Sequence, residues 1–210
     1  LLPDILPLFT PQFPDVQVVL HEAAVPELTK LAEDSVIDFC VMHIPTDLTE
    51  LSYELIMRER VFLIGHKDHP LLRGLDSPYD RPLHFTQLRQ LEHERIVMLP
   101  SDWRLAKLLY NTFSVLNVEP QNILVTTNNT TAINLVAENM GFTFLPESGI
   151  HRTPYLDRLS FFTVGDPPLT CPMAVVYKKN SFLSPATRAF ITLIKDFYRQ
   201  FDRGSALSHP

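Results

Sequence analysis

The run Asn128-Asn129-Thr130-Thr131 sets four small polar side chains in front of Ile133, Val136, Ala137 and Met140, apolar residues at helical spacing. The first N–H groups of a helix lack partners inside it, and the helix dipole places partial positive charge there. A carboxylate or phosphate suits such an end. Asn and Thr are equally ordinary helix caps, and the sequence supports capping and binding alike. Ser101-Asp102-Trp103-Arg104 is a second helix start, combining a cap, an aromatic plane and a cation. Trp103 suits stacking on a planar ligand, covering a seam between units, or a dimer contact. Arg104 suits an anionic ligand or an ion pair with a neighbouring acid. His43, after Met42 at the end of an apolar run, reads as a ligand contact or as a hydrogen-bonded strand-end residue. Glu22, Ala23 and Ala24 precede another helix, and the two methyl groups there offer no hydrogen-bond donor.

Catalytic and metal chemistry find little support. His66 and His69 stand three apart without an accompanying Cys/His set, so no metal and no cofactor is expected. His93-Glu94 lacks the second histidine of a zinc-protease helix, and no glycine-flanked serine or phosphate loop occurs among only six glycines. Cys40 and Cys171 each lie in apolar, strand-like surroundings and read as buried free thiols. The net charge of −6, with Lys and Arg scattered, is the wrong footprint for neutralising phosphates, so this piece is not expected to hold DNA itself. No apolar run reaches the ~20 residues of a membrane span, and the first residues lack a signal peptide's basic start. A cytoplasmic protein without a membrane partner is expected.

The elements that must position these residues alternate. Periodicity predicts helices over 1–10, 27–34, 102–117, 130–138 and 185–201. It predicts strands over 16–22, 37–44, 95–99, 123–127, 142–145, 159–164 and 173–177, with two extended pieces at 52–58 and 60–64. Pro3 fits a first helical turn, whereas Pro7 must bend or end the bonding of the first helix. Ser184 as a cap and Pro185 at the first helical position mark the start of the last helix. Residues 202–210 read as a flexible tail. Strand–helix–strand order implies parallel crossovers, with ligand-facing loops at strand ends over 22–25, 42–45, 100–103 and 128–131.

The helix-to-strand corner Val136-Ala137-Glu138-Asn139-Met140-Gly141-Phe142-Thr143-Phe144-Leu145-Pro146 resembles the V-A-x-G-x-G-x-x-L-P turn of the LysR-type transcriptional regulators. Further segments agree in the same order: Leu6-Pro7-Leu8-Phe9, Phe13-Pro14-Asp15-Val16, Ile37-Asp38-Phe39, His69-Pro70-Leu71 and Leu183-Ser184-Pro185-Ala186-Thr187. The resemblance is to the C-terminal effector-binding domain and covers nearly the whole chain. It implies an α/β, type II periplasmic-binding-protein-like fold of two subdomains joined by two crossover strands. Subdomain I is expected over 1–64 plus 170–201, and subdomain II over 65–169. It implies a small-molecule effector, here an organic acid, in a cleft lined by the four strand-end loops and by Phe144. It also implies a homodimer or tetramer, with the outward faces of 1–9 and 102–117 as candidate contacts. DNA contact would come only from an N-terminal helix-turn-helix that these residues do not contain. Two departures weaken the transfer of particular contacts. The family's first effector-domain strand is not found ahead of Leu1, and alanines occupy 23 and 24 where the family often has a small hydroxyl or glycine. A solute-binding protein of the same architecture, and a small carboxylate-handling enzyme, are the rival readings.

Overall fold

The computed structural model describes residues 2–45, 48–101, 103–150 and 153–202. Asp102 and the tail beyond 202 lie outside them. The chain divides into two compact units, Leu1–Arg58 with Pro172–Pro210, and Glu59–Cys171. The helices are α1 (Leu2–Phe9), α2 (Val25–Glu33), α3 (Arg104–Val115), α4 (Asn129–Ala137) and α5 (Pro185–Asp202). The strands are β1 (Cys40–His43), β2 (Leu51–His66), β3 (Leu83–His84), β4 (Arg95–Met98), β5 (Asn122–Val125), β6 (Phe142–Pro146), β7 (Leu159–Thr163) and β8 (Thr170–Lys178).

In the first unit β8 lies between β1 and β2, and β1 runs antiparallel to β8. Alternation along the strands sends side chains to opposite faces. Met173 and Val175 join Ile5 of α1 and Phe190, Ile191 and Ile194 of α5, while Ala174 and Val176 join Ala32 of α2 with Cys40 and Met42. Helices therefore cover both faces. Ser184 caps α5, its Oγ accepting from Thr187 N at 3.1 Å, and Pro185 follows in the first turn.

Residues 16–24 form no strand, although Val16, Val18, Val19 and Leu20 have strand propensity. A strand exists only by pairing, and no described segment pairs with this one. Val19 stays 65% exposed and Leu20 50%.

The second unit has the order β3-β7-β2-β6-β4-β5, with β4 parallel to both β5 and β6. The two extended pieces expected at 52–58 and 60–64 are one strand of 16 residues. Its far half is central, so Val61, Phe62, Leu63 and Ile64 are all 0% exposed, as a strand covered on both faces requires. Val61 and Leu63 pack with Leu105, Leu109 and Phe113 of α3, whereas Phe62 and Ile64 pack with Ile133 and Val136 of α4. Each such side chain contributes roughly 1.5–3 kcal/mol on leaving water.

The α4–β6 corner carries this unit's main crossover. α4 ends where Asn139 N donates to Val136 O and Met140 N to Leu135 O. Asn139 at φ 56° and Gly141 at φ 121° then turn the chain straight into β6. Phe142 pairs with Ile96 of β4 in the first step of the new strand.

Candidate functional site

In the second unit the carboxyl ends of parallel β4 and β5 lead directly into α3 and α4, so both helices begin on the same edge of the sheet. Thr126 N donates to Met98 O at 3.0 Å, which ties the two strand ends together. In open α/β sheets this edge is where ligands bind. Asn128 is the cap of α4, its Oδ1 accepting from Thr131 N at 3.1 Å. Its own N–H donates to Thr126 Oγ1 at 3.2 Å. No acidic residue occupies the first turn of α4, so the positive end of its dipole is not neutralised locally. Asn129 Oδ1 is buried and has no hydrogen-bond partner among the described residues. Thr130 and Thr131 are exposed.

Ser101 is exposed and Trp103 half-buried, the indole packing against the α3-side core. Trp103 is the residue before α3 and provides no side-chain cap, and the first turn of α3 contains Arg104 and no acid. Two helix starts with the same electrostatic sign therefore share this edge. Phe144 is 3% exposed and meets Phe113 edge-on, with centroids 5.6 Å apart.

A third segment joins them that sequence reasoning missed. The turn Glu147–Gly149 after β6 is held by residues of β2 far away in sequence. Arg60 donates to Glu147 through Nη2 at 2.6 Å and Nε at 3.2 Å, while Tyr79 Oη donates to the same carboxylate at 3.1 Å. The Arg60 guanidinium also lies over the Phe62 ring at 5.0 Å, and the hydrogen bond to Glu147 raises its pKa. The Tyr79 hydroxyl is pushed up by burial and by Glu147. Glu59, 2% exposed, accepts from Ser148 N at 3.0 Å. A Cβ on Gly149 would stand 3.1 Å from Asn129 Nδ2, so this turn reaches the start of α4. Nothing local in Pro146-Glu147-Ser148-Gly149 announces these partners.

The first unit's predicted residues lie in a different environment. Glu22 is exposed, Ala23 half-buried, and Ala24 caps α2 without a side-chain bond. Pro26 brings no N–H, and the N–H groups of Glu27 and Leu28 both go to Ala24 O at 3.0 Å. Glu27 adds negative charge to the first turn, so this helix start does not favour anions. Met42 is buried at 6% exposure and His43 half-buried, on the last two residues of β1.

Both cysteines are buried, and burial pushes each thiol up to about 12. At Cys171 the charge of Glu59 adds to that rise and Arg104 opposes it. Thiols so raised supply almost no thiolate near neutral pH and are poor nucleophiles. Among the described residues no cluster of His, Cys, Asp and Glu is able to hold a metal ion. No described helix is long and apolar enough to cross a membrane.

The family described as LysR substrate binding domain matches this chain over residues 1–199. The chain belongs to that family. Among solved structures, the LysR-type effector domain of BenM with its effector benzoate superposes with a TM-score of 0.76 at 23% identity, covering 100% of this chain and 92% of that one. The effector domain of QuiR in complex with shikimate gives 0.76 at 16% identity, over 95% and 90% of the two chains. The fold is thus the type II periplasmic-binding-protein-like fold of LysR effector domains. Among curated relatives, the transcriptional dual regulator GltC of Bacillus subtilis is 22% identical over 207 residues. That match covers 97% of this chain but 65% of GltC, so this LysR-type domain spans less than two thirds of that relative's length.

Proposed function

We propose that this LysR-type domain is the effector-sensing and self-associating part of a DNA-binding transcriptional regulator, and that its effector is a small organic acid. The observation that carries the reading is the pair of helix starts at the carboxyl edge of β4 and β5, α4 capped by Asn128 and α3 opening on Arg104, with no acid in either first turn. An anion there meets partial positive charge and N–H donors. The two similar domains solved with benzoate and shikimate, both carboxylates, support the same class. The effector acts by binding one state of the assembly more tightly than another, which shifts the population of the DNA-binding form. DNA contact belongs to a part of the protein outside these residues, in keeping with the net charge of −6.

The test is a thermal-shift screen of carboxylates against their neutral amides. A ligand at 100 times its Kd adds roughly 2.7 kcal/mol of stability. Thr130→Asp separates binding from folding, because an acid in the first turn of α4 stabilises the helix by roughly 0.3–1 kcal/mol while repelling an anion. The variant is expected to keep its Tm and bind carboxylate at least tenfold more weakly. Stabilisation by cations or neutral sugars alone would sink the reading.

Self-association is assigned to the surfaces where apolar side chains stand in water. These are Val16, Val18, Val19 and Leu20 in the first unit, and Ile123 and Val125 on the edge strand β5 in the second. The outward face of α3 is less suited, since Lys107, Asn111 and Ser114 occupy it. Leu8, 44% exposed, extends the apolar surface onto α1. Val19→Lys combined with Val125→Lys is expected to yield a monomer in sedimentation velocity with an unchanged circular dichroism spectrum. An unaltered oligomer would place the contact elsewhere.

A further inference from the structure

We propose that the second unit carries another small-molecule site, away from the α3 and α4 starts, that takes a zwitterion with an apolar body, such as an apolar amino acid or dipeptide. A groove of about 650 Å³ runs between the segment 84–90, the end of α3 and the turn at Gly165-Asp166. That volume lies within the roughly 300–1,000 Å³ of small-molecule sites. Its floor is the buried edge of Phe85 and Leu88, and its wall is Val115, 81% exposed, with Leu116, 38% exposed. A β-branched residue left this far in water at a helix end is apolar surface without a covering element.

Two side chains of opposite charge line that surface and give it one positive and one negative pole. Arg89 is one, and among the described residues it has no hydrogen bond or ion pair. Asp166 is the other, likewise without a partner among them. The last turn of α3, whose Val115 lines the groove, carries no basic residue, so the negative end of its dipole is not compensated within the helix. A plain carboxylic acid would satisfy Arg89 and meet repulsion at the other pole. A plain amine would do the reverse. A molecule bearing both ammonium and carboxylate answers both poles while its side chain covers Val115 and Leu116. Each exposed charge pair alone is weak, so recognition requires both together with the apolar contact.

The experiment uses the full chain, amide-resolved NMR and four probes: leucine, leucyl-leucine, N-acetyl-leucine and leucinamide. Millimolar leucine or leucyl-leucine is expected to shift the amides of 84–90 and 115–117, and the larger response of the two identifies the free amino acid or the dipeptide. The acetylated and amidated analogues are expected to bind at least tenfold more weakly. Arg89→Gln and Asp166→Asn should each weaken binding at least tenfold, both substitutions being on the surface and outside the core. Absent shifts, shifts confined to other residues, or equal binding of the blocked analogues would each overturn the proposal. Shifts at 128–131 instead would identify the effector site as the binder and overturn it too.

Discussion

Gly141→Ala is expected to cost on the order of 4 kcal/mol, a sum of roughly 1–3 kcal/mol for a strained backbone and roughly 1–3 for overpacking. At φ 121° the residue sits where L side chains are disfavoured, and an added Cβ would stand 2.2 Å from Arg95 O and 2.9 Å from Arg95 C. Both are backbone atoms of β4, so no rotamer change relieves the clash. The strand itself has to move, and with it the Ile96–Phe142 pairing that joins β4 to β6. Against a total stability of about 5–15 kcal/mol this is a large fraction. Gly74→Ala is the matched control, since Gly74 also has positive φ, at 81°, but nothing lies within 4 Å of its Cβ position. It is expected to lose only the backbone part. Urea unfolding of the two variants isolates the clash as their difference, and equal losses would show that β4 yields freely. Because α4 is aimed by this corner, Gly141→Ala should also weaken anion binding in whatever fraction remains folded.

Phe142→Ala is expected to destabilise by roughly 3–5 kcal/mol, the range for emptying an aromatic site in a core. Phe142 is 0% exposed and forms part of the α3-side core. Its ring also meets the imidazole of His69 edge-on, with centroids 4.6 Å apart. His69 Nδ1 accepts from Leu71 N at 3.3 Å, capping the short turn Pro70–Leu72, and Nε2 faces Glu94 at 3.4 Å. That arrangement suits a neutral ring, because a second ring proton on Nδ1 would point at the Leu71 N–H. Burial lowers the His69 pKa below the ordinary 6.5, Glu94 pulls it back up, and His66 lowers it further. The unfolded chain therefore takes up the proton first as pH falls. This contribution to stability is present above pH 6.5 and is lost as pH drops below it toward the folded-state value. In Phe142→Ala water reaches the ring, the His69 pKa returns toward 6.5, and this part of the acid sensitivity shrinks. Unfolding curves measured across that pH range, with the His69 ring followed by NMR, check both effects. An unchanged His69 titration in the variant would show that Phe142 does not control the burial of the imidazole.

What the sequence by itself determined here is local. The start of α5 at Ser184-Pro185, the capped start of α4 at Asn128 and the turn through Asn139 and Gly141 were all legible, because caps, positive φ and helical spacing are decided within a few residues. Tertiary structure decided whatever depends on a partner. Residues 16–22 have strand propensity but no paired segment, and so remain outside the sheet and exposed. Residues 52–64, which the sequence breaks in two, form one strand because neighbours hold both halves. The candidate site divides the same way. Its helix starts could be read from Asn, Thr and Trp, but Arg60 and Glu59 are 87 and 89 residues from the groups they hold at Glu147 and Ser148. No periodicity encodes so distant a pairing. Only the folded chain, by bringing the ends of β4, β5 and β6 to one edge, determines which polar groups stand beside α4.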